Sequence, residues 1–250
     1  MTRGNSRVLE PEAIESLEAA RTVDQIVRKY LHILHAGFVE TALNFSPEVG
    51  RVLEIGTGTG HILIQMAKHN PHLSMVGIDL SANMLAVARD NARRGGVADR
   101  IEFLVGDGKQ LPFPPASFDA VLCHNVLHHL PDPLLLVAQI ARVARADAAI
   151  LIRDLLRPSR PLIPFLVHTV GLPYDRAMKA QFRASLKAAL SKAEWAELFA
   201  KANVPGARLT RQFVTHTSLE RKSLRAPREP VRVVSPPLAG LAKRFYVSHV

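Results

Sequence analysis

The chain is poor in the residues that would cross-link it or anchor it in a membrane. It has one cysteine among 250 residues, so it cannot form an internal disulfide, and a single thiol suits a reducing cytoplasm. No uninterrupted apolar run reaches the length of a membrane span. The segment Met1–Arg7 is polar and lacks the apolar region of a signal peptide. These absences favour a cytoplasmic protein.

Acidic residues are scarce relative to basic ones. The chain has 32 Lys and Arg against 22 Asp and Glu, a formal net charge of +10. Residues 221–250 hold seven basic residues and one acidic residue, which is +6 of that total. Four prolines and the lack of periodicity predict that this tail is extended or flexible. A basic tail can contact nucleic acid or an anionic surface, and a merely solvated tail is the alternative.

Glycine is also sparse, yet three glycines alternate at Gly56, Gly58 and Gly60. An apolar run ends at Ile55, and the residues that follow Gly60 have helical spacing. This strand–turn–helix unit presents unpaired N–H groups where backbone can approach a ligand. A dinucleotide fold would need its third glycine where His61 stands. The spacing therefore disfavours a dinucleotide, and a plain tight turn is the other alternative.

Acidic residues follow the next two predicted strands. Asp79 ends the apolar run that begins at Leu73 and lies 19 residues after Gly60, a spacing typical of a carboxylate that binds ribose hydroxyls. As the alternative, Asp79 or Ser81 caps the helix that follows. Asp107 comes between two glycines after the next run, which alone predicts only a turn.

The ordered motifs resemble those of a known family. Glu54-x-Gly-x-Gly-x-Gly, Asp79, Asp107 and the segment Phe118–Asp132 are similar to class I S-adenosylmethionine-dependent methyltransferases. The resemblance covers about residues 45–155 and is strongest to the small-molecule branch with ubiquinone- and menaquinone-type enzymes. It implies an α/β, Rossmann-like fold with a seven-stranded, mostly parallel sheet, helices on both faces, N-terminal helices and a helical cap. It also implies S-adenosylmethionine as the cofactor.

The resemblance assigns cofactor roles to individual residues. Glu54 is expected to orient the glycine turn and the amino end of the cofactor, Asp79 to bind the ribose, and Asp107 to bind the adenine amine. The other residues implied to contact the cofactor are Gly56, Thr57, Gly58, Gly60, Leu80, Met84, Gly108 and His124.

The histidines after the predicted fourth strand are candidates for proton transfer. Methyl transfer from a sulfonium is an in-line displacement that needs a base only when the acceptor must lose a proton. We predict that His128 is this base, because histidine titrates near neutral pH; a structural hydrogen bond is the alternative. Two histidines without a third ligand predict no metal site. Cys123 is expected to be a buried strand residue, because Leu122 replaces the proline that precedes the nucleophile of cytosine-C5 methyltransferases.

The expected organisation places an acceptor pocket between three parts of the chain. These are the N-terminal arm and helices (1–45), the fourth-strand exit within the methyltransferase domain (46–220), and a cap inserted at 155–190; the tail at 221–250 completes the chain. Within the pocket we expect Tyr30 and Asp154 to contact the substrate. We also expect Phe165 and Leu166 to form an apolar wall.

The sequence thus predicts an S-adenosylmethionine-dependent methyltransferase with a small-molecule acceptor. An RNA or protein methyltransferase guided by the basic tail is one alternative, and a non-catalytic cofactor-binding module is another.

Overall fold

A seven-stranded sheet forms the centre of the fold in the computed structural model, which describes residues 7–212 and 215–233. The strands are β1 (Gly50–Ile55), β2 (Leu73–Asp79), β3 (Ile101–Val105), β4 (Phe118–His124), β5 (Ala144–Leu155), β6 (Arg208–Gln212) and β7 (His216–Arg221). Their order is β3-β2-β1-β4-β5-β7-β6, and only β7 runs antiparallel to its neighbours. The predicted seven-stranded, mostly parallel sheet is confirmed.

The described chain has eight α-helices, which cover both faces of the sheet or form the cap. They are α1 (Leu17–Ile26), α2 (His32–Phe45), α3 (His61–His69), α4 (Ala82–Gly95), α5 (Pro133–Val143), α6 (Leu162–Thr169), α7 (Arg176–Ala188) and α8 (Lys192–Ala202). One apolar core joins one face of the sheet to α2, α3 and α4, and another joins the opposite face to α5 and α8. Because both faces are covered, the central strands are almost continuously apolar, and β4 is buried at every position.

The strand order reverses between β1 and β4, which pair side by side in the middle of the sheet. In such sheets the crevice for a ligand lies at this reversal, beyond the carboxyl ends of the strands. The glycine turn leaves β1 at this edge, and the histidine-containing segment leaves β4 there. The topology therefore brings the two main sequence motifs together.

Two helical segments flank the crevice. Helix α1 is capped by Ser16 and continues through a short π-helical turn, Val27–Leu31, into α2. Between β5 and α8, helices α6 and α7 pack on each other through Val167, Phe182 and Leu186. Helix α7 begins at Arg176, where the Asp175 side chain accepts a hydrogen bond from the Met178 N–H.

The chain after β7 lies against the domain as far as it is described. Arg225 forms ion pairs with Asp119 at 2.6 Å and Asp147 at 2.7 Å. Val231 exchanges backbone hydrogen bonds with the side chain of Asn44. Residues 222–233 thus form no helix or strand, and these contacts hold them against the domain. The flexibility predicted for residues 234–250 concerns a part of the chain outside the described residues. No helix in the described ranges is long and apolar enough to cross a membrane.

Candidate active site

The glycine turn has a backbone that only glycine adopts without strain. Gly56 and Gly58 have φ angles of +69° and +55°. A Cβ atom on Gly56 would also lie 2.3 Å from a methyl group of Val126. At the start of the turn, the Thr57 hydroxyl donates to the buried carboxyl of Glu54 at 2.6 Å. The turn is therefore fixed to the end of β1 and closely approached from the β4 side.

Asp79 fixes the same turn from β2. Its carboxylate accepts hydrogen bonds from the N–H groups of Gly58 at 2.8 Å and Ser81 at 2.9 Å. Burial raises the pKa of Asp79, although these two N–H groups act in the opposite direction. The cap of α4 is Ser81, whose hydroxyl accepts from the Met84 N–H at 3.2 Å. Asp79 is thus not the capping residue, and it faces the cavity.

A cavity of about 320 Å³ lies at the carboxyl edge of β1, β2 and β4. The structure brings ten of the eleven expected cofactor residues to its wall: Glu54, Gly56, Thr57, Gly58, Asp79, Leu80, Met84, Asp107, Gly108 and His124. Gly60 is the exception. A Cβ there would approach Ala88 and Phe103 at 3.1 Å, so this glycine allows α3 to pack closely on its neighbours.

Glu54 has an unusual protonation equilibrium. The residue is 1% exposed, and burial raises the pKa of its carboxyl to about 8; the Thr57 hydrogen bond opposes that rise and the charge of Asp79 adds to it. At neutral pH this carboxyl is therefore mostly protonated. A ligand cation beside Glu54 would favour release of the proton.

The N-terminal arm closes the other end of the site. Asp107 accepts a hydrogen bond from the Lys109 N–H at 2.8 Å, and the Lys109 ammonium lies 3.2 Å from the same carboxylate. That ammonium also pairs with Glu12 at 2.6 Å. The arm is therefore tied to the loop after β3, and Glu12 and Asp107 both line the cavity.

His128 is held between two carboxylates. Its Nδ1 lies 2.7 Å from the buried Asp154 carboxylate, and its Nε2 lies 3.4 Å from Glu10. Burial lowers the pKa of His128, but the charges and hydrogen bonds of Asp154 and Glu10 outweigh burial and raise it to about 9. In this state His128 is a cation at neutral pH. It lies in a 3₁₀ turn, Leu127–His129.

Three other cavity histidines, His35, His124 and His216, are neutral. The ring of His124 is 5.4 Å from that of His35 and 6.4 Å from that of His216. Burial lowers the pKa of His35 to about 3 and that of His216 to about 4, and holds that of His124 well below its usual range. Among these histidines, His128 therefore differs in having carboxylate partners.

Four expected acceptor contacts do not line the cavity: Tyr30, Asp154, Phe165 and Leu166, the last of which packs against the α6–α7 cluster. The Tyr30 hydroxyl donates to Asp175 at 2.7 Å on the exposed surface. Asp154 lies behind His128 and is bound to it, and the Phe165 side chain is 61% exposed. The sequence places these residues in the correct segments but does not reveal which way each side chain points. Tyr174 and Phe182 line the cavity from the cap instead.

Two cavity residues were not predicted as site residues from the sequence. Asn125 follows β4 with φ +57°, and its side-chain oxygen is buried with no hydrogen-bond partner in the described structure. Asparagine tolerates this left-handed conformation, which is the one signal available in the sequence. Glu10 lies in an arm without helical or strand periodicity, so no pattern identifies it. The arm is held beside His128 by Arg7, which donates hydrogen bonds to the carbonyl oxygens of Leu127 and His128.

Glu10 also provides a third possible metal ligand beside His128 and His129. One ligand atom from each lies within 4.8 Å of the others. Two ligands of one tetrahedral zinc ion lie about 3.4 Å apart, given metal–nitrogen distances of about 2.1 Å. The Nδ1 atoms of both histidines contact other acceptors, Asp154 and the Pro11 carbonyl. The Nε2 atoms are therefore the ones available to an ion.

Comparisons with known proteins agree with the fold and the cavity. Residues 53–152 match the family described as "Methyltransferase domain". The chain is 38% identical over 111 residues to 27-O-demethylrifamycin SV methyltransferase of Amycolatopsis mediterranei, covering 44% of this chain and 40% of that protein. It is 32% identical over 152 residues to demethylmenaquinone methyltransferase of Thermotoga maritima, covering 56% and 63%. The chain thus spans less than two thirds of each relative.

Solved structures extend the likeness beyond the matched segment. The YcgJ protein of Bacillus subtilis is 29% identical, with a TM-score of 0.53 over 72% of this chain and 70% of that one. A methyltransferase from Aquifex aeolicus superposes with a TM-score of 0.60 over 83% of this chain and 98% of that one, at 18% identity, which shows the fold alone.

The sheet order, the glycine turn and the cavity at the strand reversal define a Rossmann-like protein with a nucleotide-type ligand site. The matched family and the relatives narrow this class to the class I S-adenosylmethionine-dependent methyltransferases, which the chain resembles over residues 53–152. The expected family, fold and cofactor are confirmed.

Proposed function

We propose that this protein transfers the methyl group of S-adenosylmethionine to a small, largely apolar acceptor that loses a proton in the reaction. The observation that carries the proposal is the His128–Asp154 pair in the wall of the cavity that also contains the glycine turn. A base is required only for an acceptor such as a hydroxyl or an acidic carbon.

We assign cofactor binding to residues that lie at the carboxyl ends of the parallel strands. Asp79 is suited to the ribose hydroxyls, because its carboxylate is buried and fixed by two backbone N–H groups. Glu54 and the unpaired oxygen of Asn125 are suited to the ammonium of the methionine portion, since both offer acceptors in the cavity. Asp107 is assigned to the adenine amine. The sulfonium supplies an activated methyl group, so the protein mainly positions the acceptor and excludes water.

His128 is assigned the role of general base. Asp154 fixes Nδ1 as the donor, which leaves Nε2 facing Glu10 and the cavity. In the described state the positive charge of His128 prevents it from accepting a proton. An acceptor that displaces Glu10 removes one negative neighbour and lowers the pKa of His128, so that His128 releases its Nε2 proton to solvent. The neutral Nε2 then accepts the proton of the acceptor. Glu10 thus occupies the place of the acceptor's reactive group.

The acceptor side of the cavity is apolar on its helical wall. Val27 and Leu31 contribute from the N-terminal helices, and Leu155 and Phe182 from β5 and the cap. The relatives include enzymes named for demethylrifamycin and demethylmenaquinone. These names support an apolar acceptor with an oxygen or carbon nucleophile.

The test is a methylation assay with deuterated S-adenosylmethionine and fractionated cell extract, read by mass spectrometry. We expect a product that carries one labelled methyl group. His128→Ala should slow its formation by about 10²-fold or more with unchanged affinity for S-adenosylhomocysteine. His129→Ala is the matched control and should act weakly. A loss of only a few-fold in His128→Ala would contradict general-base catalysis.

The same assay addresses the alternatives. Label in RNA or protein and not in small molecules would favour a macromolecular acceptor, for which the basic tail gives the only support. Cofactor binding without any labelled product would favour a non-catalytic module. A cytoplasmic location remains part of the proposal.

A further inference from the structure

The cap exposes apolar side chains that do not contribute to its packing. Leu162 and Phe165 on α6 are 51% and 61% exposed, and Leu172, just after this helix, is 70% exposed. Leu162 and Phe165 are three residues apart and so share one helical face. The opposite face, with Ile163 and Val167, is buried against α7. The apolar strip is therefore available to something outside the domain.

Helix α7, which packs against α6, carries a basic stripe. Arg176, Lys179, Arg183 and Lys187 follow one another at intervals of three or four residues, which places them on one face. The helix contains no acidic residue. Within the described ranges, none of these four side chains has an ion pair or a hydrogen bond. Their four positive charges are therefore uncompensated.

The other face of α7 belongs to the cavity. Met178, Gln181, Phe182 and Ser185 line it. Since successive residues of a helix are rotated by about 100°, these side chains lie roughly opposite the basic stripe. One helix thus forms a wall of the proposed acceptor site on one side and presents cations to solvent on the other.

We propose that this cap docks on an anionic lipid surface. Leu162, Phe165 and Leu172 would enter the boundary between headgroups and acyl chains, and the basic stripe would contact lipid phosphates. Surface-bound amphipathic helices combine apolar and basic faces in this way, and basic residues near an anionic leaflet each favour binding. Nucleic acid would match the cations but makes no use of exposed leucines, because it binds through phosphate contacts and aromatic stacking.

Docking at the cap would bring a lipid-dissolved acceptor to the wall of the cavity. This consequence depends on the proposed function, but the docking itself does not. A protein without methyltransferase activity would still bind vesicles, so the two proposals fail separately.

The test is co-sedimentation of the full chain with vesicles. Vesicles of equal parts phosphatidylcholine and phosphatidylglycerol should bind the protein in a salt-sensitive manner, and vesicles of phosphatidylcholine alone should bind it weakly. Lys179→Gln/Arg183→Gln/Lys187→Gln should weaken binding by about fivefold per charge, or roughly 10²-fold in total. The matched control is Lys68→Gln/Lys192→Gln, which removes exposed cations from α3 and α8 and should leave binding unchanged.

The apolar strip is tested separately. Leu162→Ser/Phe165→Ser/Leu172→Ser should weaken vesicle binding by roughly tenfold or more. Leu135→Ser is the control, because this leucine is 54% exposed on α5. Retained affinity for S-adenosylhomocysteine shows that each variant is folded; if the triple variant is not, Phe165→Ser is used. The proposal would be overturned if both cap variants bound anionic vesicles as tightly as the wild type does. It would also be overturned if the wild-type protein bound RNA at least as tightly as anionic vesicles.

Discussion

The buried carboxyl of Glu54 predicts that cofactor affinity depends on pH. Burial raises its pKa to about 8, so at pH 6 about 1% of the empty protein carries the ionised carboxylate, and at pH 8 about half does. S-Adenosylmethionine brings a positive charge to this end of the cavity under our assignment. Binding should therefore require the ionised form and should release a proton at low pH.

The expected effect follows from this linkage. If Glu54 is fully ionised in the complex, affinity rises by between one and two orders of magnitude from pH 6 to pH 8, which corresponds to about 2 kcal/mol. Glu54→Gln removes the titrating group and should bind more weakly at pH 8 with a much flatter pH profile. Thr57→Val is a useful control, because it removes the hydroxyl that bonds Glu54 while retaining the carboxyl.

Isothermal titration calorimetry in buffers of different ionisation enthalpy measures both the affinity and the proton release. The free energy of unfolding provides a second readout, which should fall over the pH range in which cofactor affinity rises. The folded-state pKa lies above the unfolded value, so Glu54 should destabilise the empty protein increasingly as pH rises from about 4.5 to about 8. Glu54→Gln should remove that dependence. A wild-type affinity that is flat across this range, or a Gln variant with the same slope, would refute the reasoning.

Three further predictions concern the rest of the site. Asp79→Ala should weaken cofactor affinity by roughly tenfold or more while changing the melting temperature little, because Ser81 caps α4; early melting with wild-type affinity would contradict this. Glu10→Gln should lower the pKa of His128, so the acid limb of kcat/KM should move to lower pH, and an unmoved limb would show that Glu10 does not face the catalytic group. Chelation with EDTA should leave the methylation rate unchanged, whereas a rate restored by added zinc or magnesium would support a metal at Glu10, His128 and His129.

The sequence was sufficient to predict the sheet and to indicate residues that lie together at one edge of it. Glycines at Gly56 and Gly58 are required by positive φ angles, and Asp79 must follow a buried strand, so local rules determine their place. The carboxyl ends of parallel strands then bring such residues together without further information. The position of these residues is predictable because short-range geometry and one topological rule are enough.

The acceptor side could not be predicted in the same way. Its arrangement depends on how the N-terminal arm and the cap lie across the sheet, and these contacts join residues far apart in sequence. Tyr30 faces Asp175 because α7 begins there. Glu10 reaches His128 through a segment without periodicity, and Phe165 faces solvent because the opposite face of α6 packs on α7.

The most direct test of the account is a calorimetric titration of the protein with S-adenosylhomocysteine and, separately, with NAD. We predict one site for S-adenosylhomocysteine, weakened by Asp79→Ala, and no measurable binding of NAD, because the third glycine of the turn comes one residue too early for a dinucleotide. Tight binding of NAD without a response to S-adenosylhomocysteine would contradict the assignment of this cavity.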